Sequence, residues 1–267
     1  MQEHITTTET RYHKDFAYYV NDSIIGRSLE LYGEYGQSEL DFFLWLANPE
    51  HVIYDIGANI GTYTVAFASS GAQVFAFEPN PKNYALLDTN TKDLNNVKVY
   101  HVAVGSKTQK VFCNDFDLDV RSNYGAMNIN ESSGTAVDMI SLDNLAIPAP
   151  TMIKIDVEGS ELDVLLGMQN KIKENMPVIV YEAHETKQFA EIFNLLKSLD
   201  YRLVWLQCMN YNQKNFKQNT NNVFENTALF SVVAWPPQAP QDILTGHEVT
   251  GPDDTWQKFC KPVDNHK

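Results

Sequence analysis

Apolar residues recur along the middle of the chain in short runs, each followed by a longer amphipathic stretch. HVIYDIG reads as a buried strand and TYTVAFASSG as a helix closed by Gly71. AQVFAFEP is the next strand, and KNYALLDTNTKDLN the next helix, with Tyr84, Leu87 and Leu94 on one side. VKVYHVAVG reads as a third strand. TMIKIDV is a fourth, followed by one helix, SELDVLLGMQNKI; PVIVYEAH is a fifth, followed by QFAEIFNLLKSLD. YRLVWLQ and ALFSVVAW complete the set. Strands separated by helical patterns of this length predict an α/β fold, a mostly parallel sheet with helices on both faces.

Residues 1–50 form a preface with helical spacing at Leu40, Phe43, Leu44 and Ala47. Asn48-Pro49 ends that helix, because the residue before proline is pushed out of the α region. The main domain spans 51–236 and is interrupted at about 111–145. There VFCNDF, a polar Gly/Ser/Asn segment and VDMISLDNL break the alternation. An insertion beside a strand's carboxyl end is well placed for substrate contacts. The tail, 237–267, is rich in Pro, Gly and Asp and is predicted to be extended or disordered.

A length of 267 residues with 43% hydrophobic content suits one α/β domain that needs no staples. Acidic residues outnumber basic ones 34 to 20, a net charge of −14. Such a surface repels a phosphate backbone, and no basic patch offsets it, so nucleic acid is not an expected partner. Cys113, Cys208 and Cys260 form no C-x-x-C pair, which argues against a disulfide framework or zinc knuckle and fits a reducing compartment. The polar start MQEHITTTET lacks the apolar core of a signal peptide, and no apolar run approaches the roughly 20 residues of a membrane helix. The expectation is a cytoplasmic protein with no membrane span; the oligomeric state is not indicated.

The junction of the first strand and helix carries Asp55, Gly57, Ala58, Asn59 and Gly61. Glycines there let the backbone turn tightly and approach a ligand. The second strand ends in Glu78, whose carboxylate suits the hydroxyls of a ribose. A dinucleotide site wants G-x-G-x-x-G, with a pyrophosphate on the helix N-terminus. Here Asn59 stands at the central glycine position, and Asp55 would repel a pyrophosphate but welcome the ammonium of a methionine moiety. Charge therefore favours S-adenosylmethionine over a nicotinamide dinucleotide. An NAD-type oxidoreductase and a non-catalytic binding module on the same fold are the alternatives.

YDIGANIGTYTVAFA, VFAFEPNPKNYALLDTN, VAVGS, MIKIDVEGSELDVLLGM and PVIVYEAH, in that order and spacing, resemble the FkbM family of S-adenosylmethionine-dependent methyltransferases. The resemblance runs from about Gly33 to Pro236 and implies a Rossmann-like class I methyltransferase with a seven-stranded sheet. It implies that Asp55, Gly57, Ala58, Asn59 and Gly61 wrap the methionine end of the cofactor. Glu78 would then hold the ribose, Asn83 would lie by the adenine or ribose edge, and Glu39 would add a contact from the preface. Asp156, at the end of strand four, would stand beside the sulfonium.

The expected chemistry is an in-line transfer to a hydroxyl, in which the protein mainly positions and deprotonates. Asp156, Glu158 and His184 are the candidate catalytic residues. The plainer readings are N-terminal helix charge for Glu158 and a surface histidine for His184. Asp156, Glu158, Glu182 and His184 also form a donor set suited to magnesium or manganese, though the sequence does not require a metal. Arg121, Asn123 and Tyr124 in the insertion are candidate substrate contacts. With Asn210, Tyr211, Asn212, Asn215, Asn219, Asn221 and Asn222 they suggest a hydroxyl-rich small-molecule acceptor, such as a sugar or glycan. Asparagine-rich loops are equally good turn formers. Tyr32, Tyr35, Trp205 and Phe216 read as packing residues.

Overall fold

The structure, a computed structural model, describes residues 2–130, 132–183 and 187–258. The preface holds a hairpin, β1 (Ile5–Thr8) and β2 (Phe16–Tyr19), then helices α1 (Ile25–Tyr32) and α2 (Gln37–Leu46). The main alternation begins with β3 (Val52–Ile56), α3 (Thr62–Ser69), β4 (Gln73–Phe77), α4 (Pro81–Thr91) and β5 (Val97–Tyr100). The insertion contributes β6 (Ala103–Val104), β7 (Gln109–Cys113), β8 (Ile129–Asn130) and β9 (Thr135–Ile140). After it come β10 (Met152–Ile155), α5 (Glu161–Leu166), α6 (Gln169–Asn175), β11 (Val178–Glu182), α7 (Lys187–Lys197), β12 (Arg202–Met209) and β13 (Ala228–Trp235).

Seven strands form one sheet in the order β12-β13-β11-β10-β3-β4-β5. The only reversed strand is β13, antiparallel to both β11 and β12. Every residue of β10 is buried, as expected for a parallel strand covered on both faces. Ile155, Val164, Leu165, Ile192 and Leu196 belong to one apolar layer; Phe43, Phe67, Val74 and Trp235 belong to another. From β3 the chain builds outward through β4 and β5, then returns to β10 on the other side of β3. That reversal opens a crevice at the carboxyl ends of β3 and β10, where ligands bind in open α/β sheets.

Local chemistry sets the boundaries. The Asn80 side chain caps α4 by accepting from the Lys82 and Asn83 amides, with Pro81 in the first turn, and the helix ends before Leu94. The stretch 97–105 is two strands rather than one. β5 pairs with β4, whereas Ala103–Val104 leave to pair with Met139–Ile140 in a second, four-stranded sheet, β6-β9-β7-β8. The helix expected over 160–172 is likewise two, broken at Gly167-Met168. The Gly167 carbonyl accepts from the Ser141 hydroxyl and the Asp143 amide, and a Cβ at 167 would run into the Gly105 carbonyl. The bend thus lets the helical segment dock on the insertion.

The preface hairpin had no signature in the sequence, yet all four residues of β2 are buried. Residues 241–249 run along β12: the Trp205 amide donates to the His247 carbonyl and the Val249 amide to that of Leu203. Leu244 and Val249 are buried there. Cys113 and Cys208 are buried free thiols, and Cys260 lies outside the described residues. Among the described residues no helix is long and apolar enough to cross a membrane.

Candidate active site

A cleft opens at the carboxyl edge of the sheet, roofed by Ile24, Ile25 and Tyr35 of the preface and by Asn123, Gly125 and Met127 of the insertion. Its floor begins with the turn after β3. Gly57, Asn59 and Gly61 all have positive φ (82°, 51° and 94°), a conformation open to glycine and tolerated by asparagine. A Cβ at Gly57 would run into the Asp156 carbonyl, so glycine is what lets the tips of β3 and β10 approach. Gly57, Ala58 and Asn59 line the cleft; Gly61 packs behind them against Leu87.

Glu78 stands beside this turn at the end of β4 and is buried. Its Oε2 accepts from the Asn59 amide at 2.9 Å and its Oε1 from the Asn80 amide at 2.8 Å, tying the glycine turn to the start of α4. Burial pushes its carboxyl up to about 7, against the pull of those two amides. Asn83, one turn into α4, is 1% exposed; its Nδ2 donates to the Tyr124 carbonyl at 3.3 Å, while its buried Oδ1 has no hydrogen-bond partner. Both side chains are on the cleft wall.

Asp55 and Glu39 are not on that wall. Asp55 is fully buried beneath the turn, with Oδ2 accepting from the Thr64 hydroxyl at 2.6 Å and Oδ1 3.7 Å from the Lys154 ammonium. Burial raises its carboxyl above the usual range, and Lys154 opposes the rise. Glu39 accepts from the Tyr63 hydroxyl at 2.7 Å and the Ser231 hydroxyl at 2.6 Å, and burial raises its carboxyl too. Where the resemblance implied a direct cofactor contact, Glu39 instead reaches the cleft through Tyr63, which lines it.

Asp156, Glu158 and Glu182 converge on the opposite side, with one carboxylate oxygen of each within 4.8 Å of the others. Glu158 and Gly159 are successive positive-φ residues (53° and 94°) that turn the chain between β10 and α5. Three hard oxygen donors in that space are the residues that could hold a divalent ion. His184 lies outside the described residues.

The insertion and the second loop correct several expectations. Tyr124 is buried, stacks on Phe116 at 4.3 Å and places its hydroxyl among the carbonyls of Asp117, Leu118 and Val120. It is therefore a packing residue. Arg121 is exposed and off the wall, and of the three substrate candidates only Asn123 faces the cleft. Asn215, Asn219 and Asn222 donate to backbone carbonyls, and Asn212 donates to Glu34; in this loop asparagine serves chiefly to fix turns. Asn210 alone of them lines the cleft. Tyr35, read as packing, also lines it; burial and the Asp156 and Glu182 carboxylates hold its hydroxyl well above its usual pKa.

Lys154 was missed. Its side chain is 5% exposed, with Nζ 3.3 Å from Asp156 Oδ2 and 4.7 Å from the centre of the Tyr63 ring. Burial lowers its pKa, but Asp156, Asp55 and Glu39 outweigh that and hold it above the usual lysine value. The signal was a lone lysine in an apolar strand opposite a lone aspartate in the next: the register pairs Lys154 with Asp55.

The model of the methyltransferase FkbM domain matches residues 55–203, more than half of the chain. The hexuronic acid methyltransferase AglP of Haloferax volcanii is 30% identical over 177 residues, covering 64% of this chain and 71% of that protein. A methyltransferase FkbM from Methylobacillus flagellatus, solved by crystallography, is 21% identical with a TM-score of 0.49 over 70% of this chain; the match spans 44% of that chain. An O-methyltransferase from Thermotoga maritima is 12% identical with a TM-score of 0.45, covering 76% of this chain and 66% of that one. The oxidoreductase alternative falls with the family match. By that match over more than half of its length, the chain belongs to the FkbM methyltransferases.

Proposed function

We propose that this protein transfers a methyl group from S-adenosylmethionine to a hydroxyl of a sugar or sugar-containing acceptor. The observation that carries the reading is the cleft's two-sidedness, with a backbone-held carboxylate beside a glycine turn on one side and three converging carboxylates on the other. The cleft fits a nucleoside: Asn83 Oδ1 is buried, on the wall and without a donor, which a ribose or adenine group would supply. Gly57, Ala58 and Asn59 would hold the methionine end, and Glu78 and Asn83 the nucleoside. When bound, the cofactor supplies an electrophilic methyl on a sulfonium.

The chain's own part is to place the acceptor and remove its proton. Glu158 takes the proton, while Asp156, anchored through one oxygen by Lys154, orients the hydroxyl. Lys154 is the only lysine or arginine on the described wall, and two aspartates occupy it. A neutral hydroxyl, which needs a base, suits this side better than an anionic carboxylate, which the three acids would repel. The relative named for hexuronic acid supports a sugar as the acceptor class.

The test begins with calorimetry against S-adenosylhomocysteine. Labelled methyl transfer to a panel of nucleotide sugars and glycans, hexuronic acids included, follows. A product that survives mild alkali is the expected ether; one that is saponified is an ester and contradicts the hydroxyl reading.

A further inference from the structure

Lys154 and Asp55 are paired in register on adjacent strands, and Asp156 lies two residues on from Lys154, just past the end of β10, with its carboxylate on the same ammonium. The ammonium is 3.3 Å from Asp156 and 3.7 Å from Asp55. Asp55 is fully buried, and Lys154 is the only cation paired with it among the described residues. The ammonium and the two aspartates in contact with it carry a net charge of −1, and Glu39, which also acts on Lys154, adds to the negative charge. Salt screens buried charges weakly, so a ligand in the cleft feels that charge.

We propose that Lys154 is a specificity-determining residue of the methyl-donor site: by cancelling one of two aspartates it sets how strongly the cleft prefers the cationic donor over its neutral, demethylated product. The inference rests on the S-adenosylmethionine reading above. S-adenosylmethionine and S-adenosylhomocysteine differ by one methyl and one positive charge at sulfur. The ratio of their affinities therefore reads the charge of the floor, whereas loss of shape or fold weakens both alike.

The test is that ratio, by calorimetry, in the wild type, Asp55→Asn, Lys154→Met and the double variant. Asp55→Asn makes the floor one charge less negative and should lower the preference for S-adenosylmethionine at least about fivefold. Adding Lys154→Met restores the wild-type charge and should return the preference to within about twofold of wild type. Lys154→Met alone, which strands Asp55, should raise the preference if it folds; the other two variants decide the question if it does not. A ratio unmoved across the variants, or a double variant no closer to wild type than Asp55→Asn, overturns the role of Lys154. Failure of the wild type to bind either ligand fails the donor reading and this inference with it, whereas binding with an unmoved ratio fails this inference alone.

Discussion

The two sides of the cleft handle carboxylates in opposite ways. On the β3–β4 side Glu78 is buried and spends both oxygens on backbone amides, so its position is fixed by the main chain. On the β10–β11 side Asp156, Glu158 and Glu182 are only half-buried and crowd one another. A carboxylate held by backbone amides is preorganised to recognise a fixed partner. Crowded, partly solvated carboxylates are suited to accepting a proton from a neutral group. On the proposed function, the contrast separates a side that would recognise the donor from a side that would react.

The strongest way to break the contrast is to move the two sides apart. Gly57→Ala places a methyl against the Asp156 carbonyl at a φ of 82°, and should cost about 3 kcal/mol or more, read as a lowered melting temperature. Next, Glu158→Gln should lower turnover on whichever panel sugar accepts methyl by ~10²–10⁴-fold, with S-adenosylhomocysteine affinity within about threefold of wild type. A matching loss of cofactor affinity would place Glu158 on the recognition side.

A gentler change sharpens the comparison through pH. Glu78 titrates at about 7 in the folded protein, above the ordinary glutamate value of 4.5. On the proposed reading, ribose hydroxyls would donate to the ionised form, so binding should strengthen as pH rises. Between pH 6 and pH 8 S-adenosylhomocysteine affinity should increase by about tenfold in the wild type and stay flat in Glu78→Gln. The sign for stability is opposite. The native state holds that proton more tightly than the unfolded chain, so Glu78's contribution to stability is lost as pH climbs from the ordinary glutamate range through about 7. Smallest of all, Tyr124→Phe should cost ~1 kcal/mol of stability through its carbonyl bonds. Arg121→Ala should leave stability within ~0.5 kcal/mol and methyl transfer unchanged.

The recognition side was legible because it is written in contiguous sequence. Asp55 to Gly61 and Glu78 to Asn83 each lie within one turn, and glycine, asparagine and the capped proline state their own backbone requirements. The reacting side depends on long-range placement. Asp156 and Glu158 could be named from the end of a strand. That Glu182 joins them follows from β10 and β11 being neighbours in the sheet. Lys154 gained its meaning only from the register that sets it against Asp55. The asparagines of 210–222 left two readings open, because hydrogen-bonding capacity does not reveal whether a side chain serves a ligand or its own loop. The break at Gly167 and the departure of Ala103 from the main sheet were hidden for the same reason, since both are imposed by an insertion packed from elsewhere in the chain.

The central claim is that Glu78 and the glycine turn bind the nucleoside of a methyl donor. Calorimetric titration of the wild type and Glu78→Gln with S-adenosylhomocysteine at pH 8 tests it most directly. The account predicts saturable binding by the wild type, weakened at least about tenfold by the substitution, with no loss of melting temperature large enough to explain it. Absence of binding, or equal affinity in the two proteins, would contradict it.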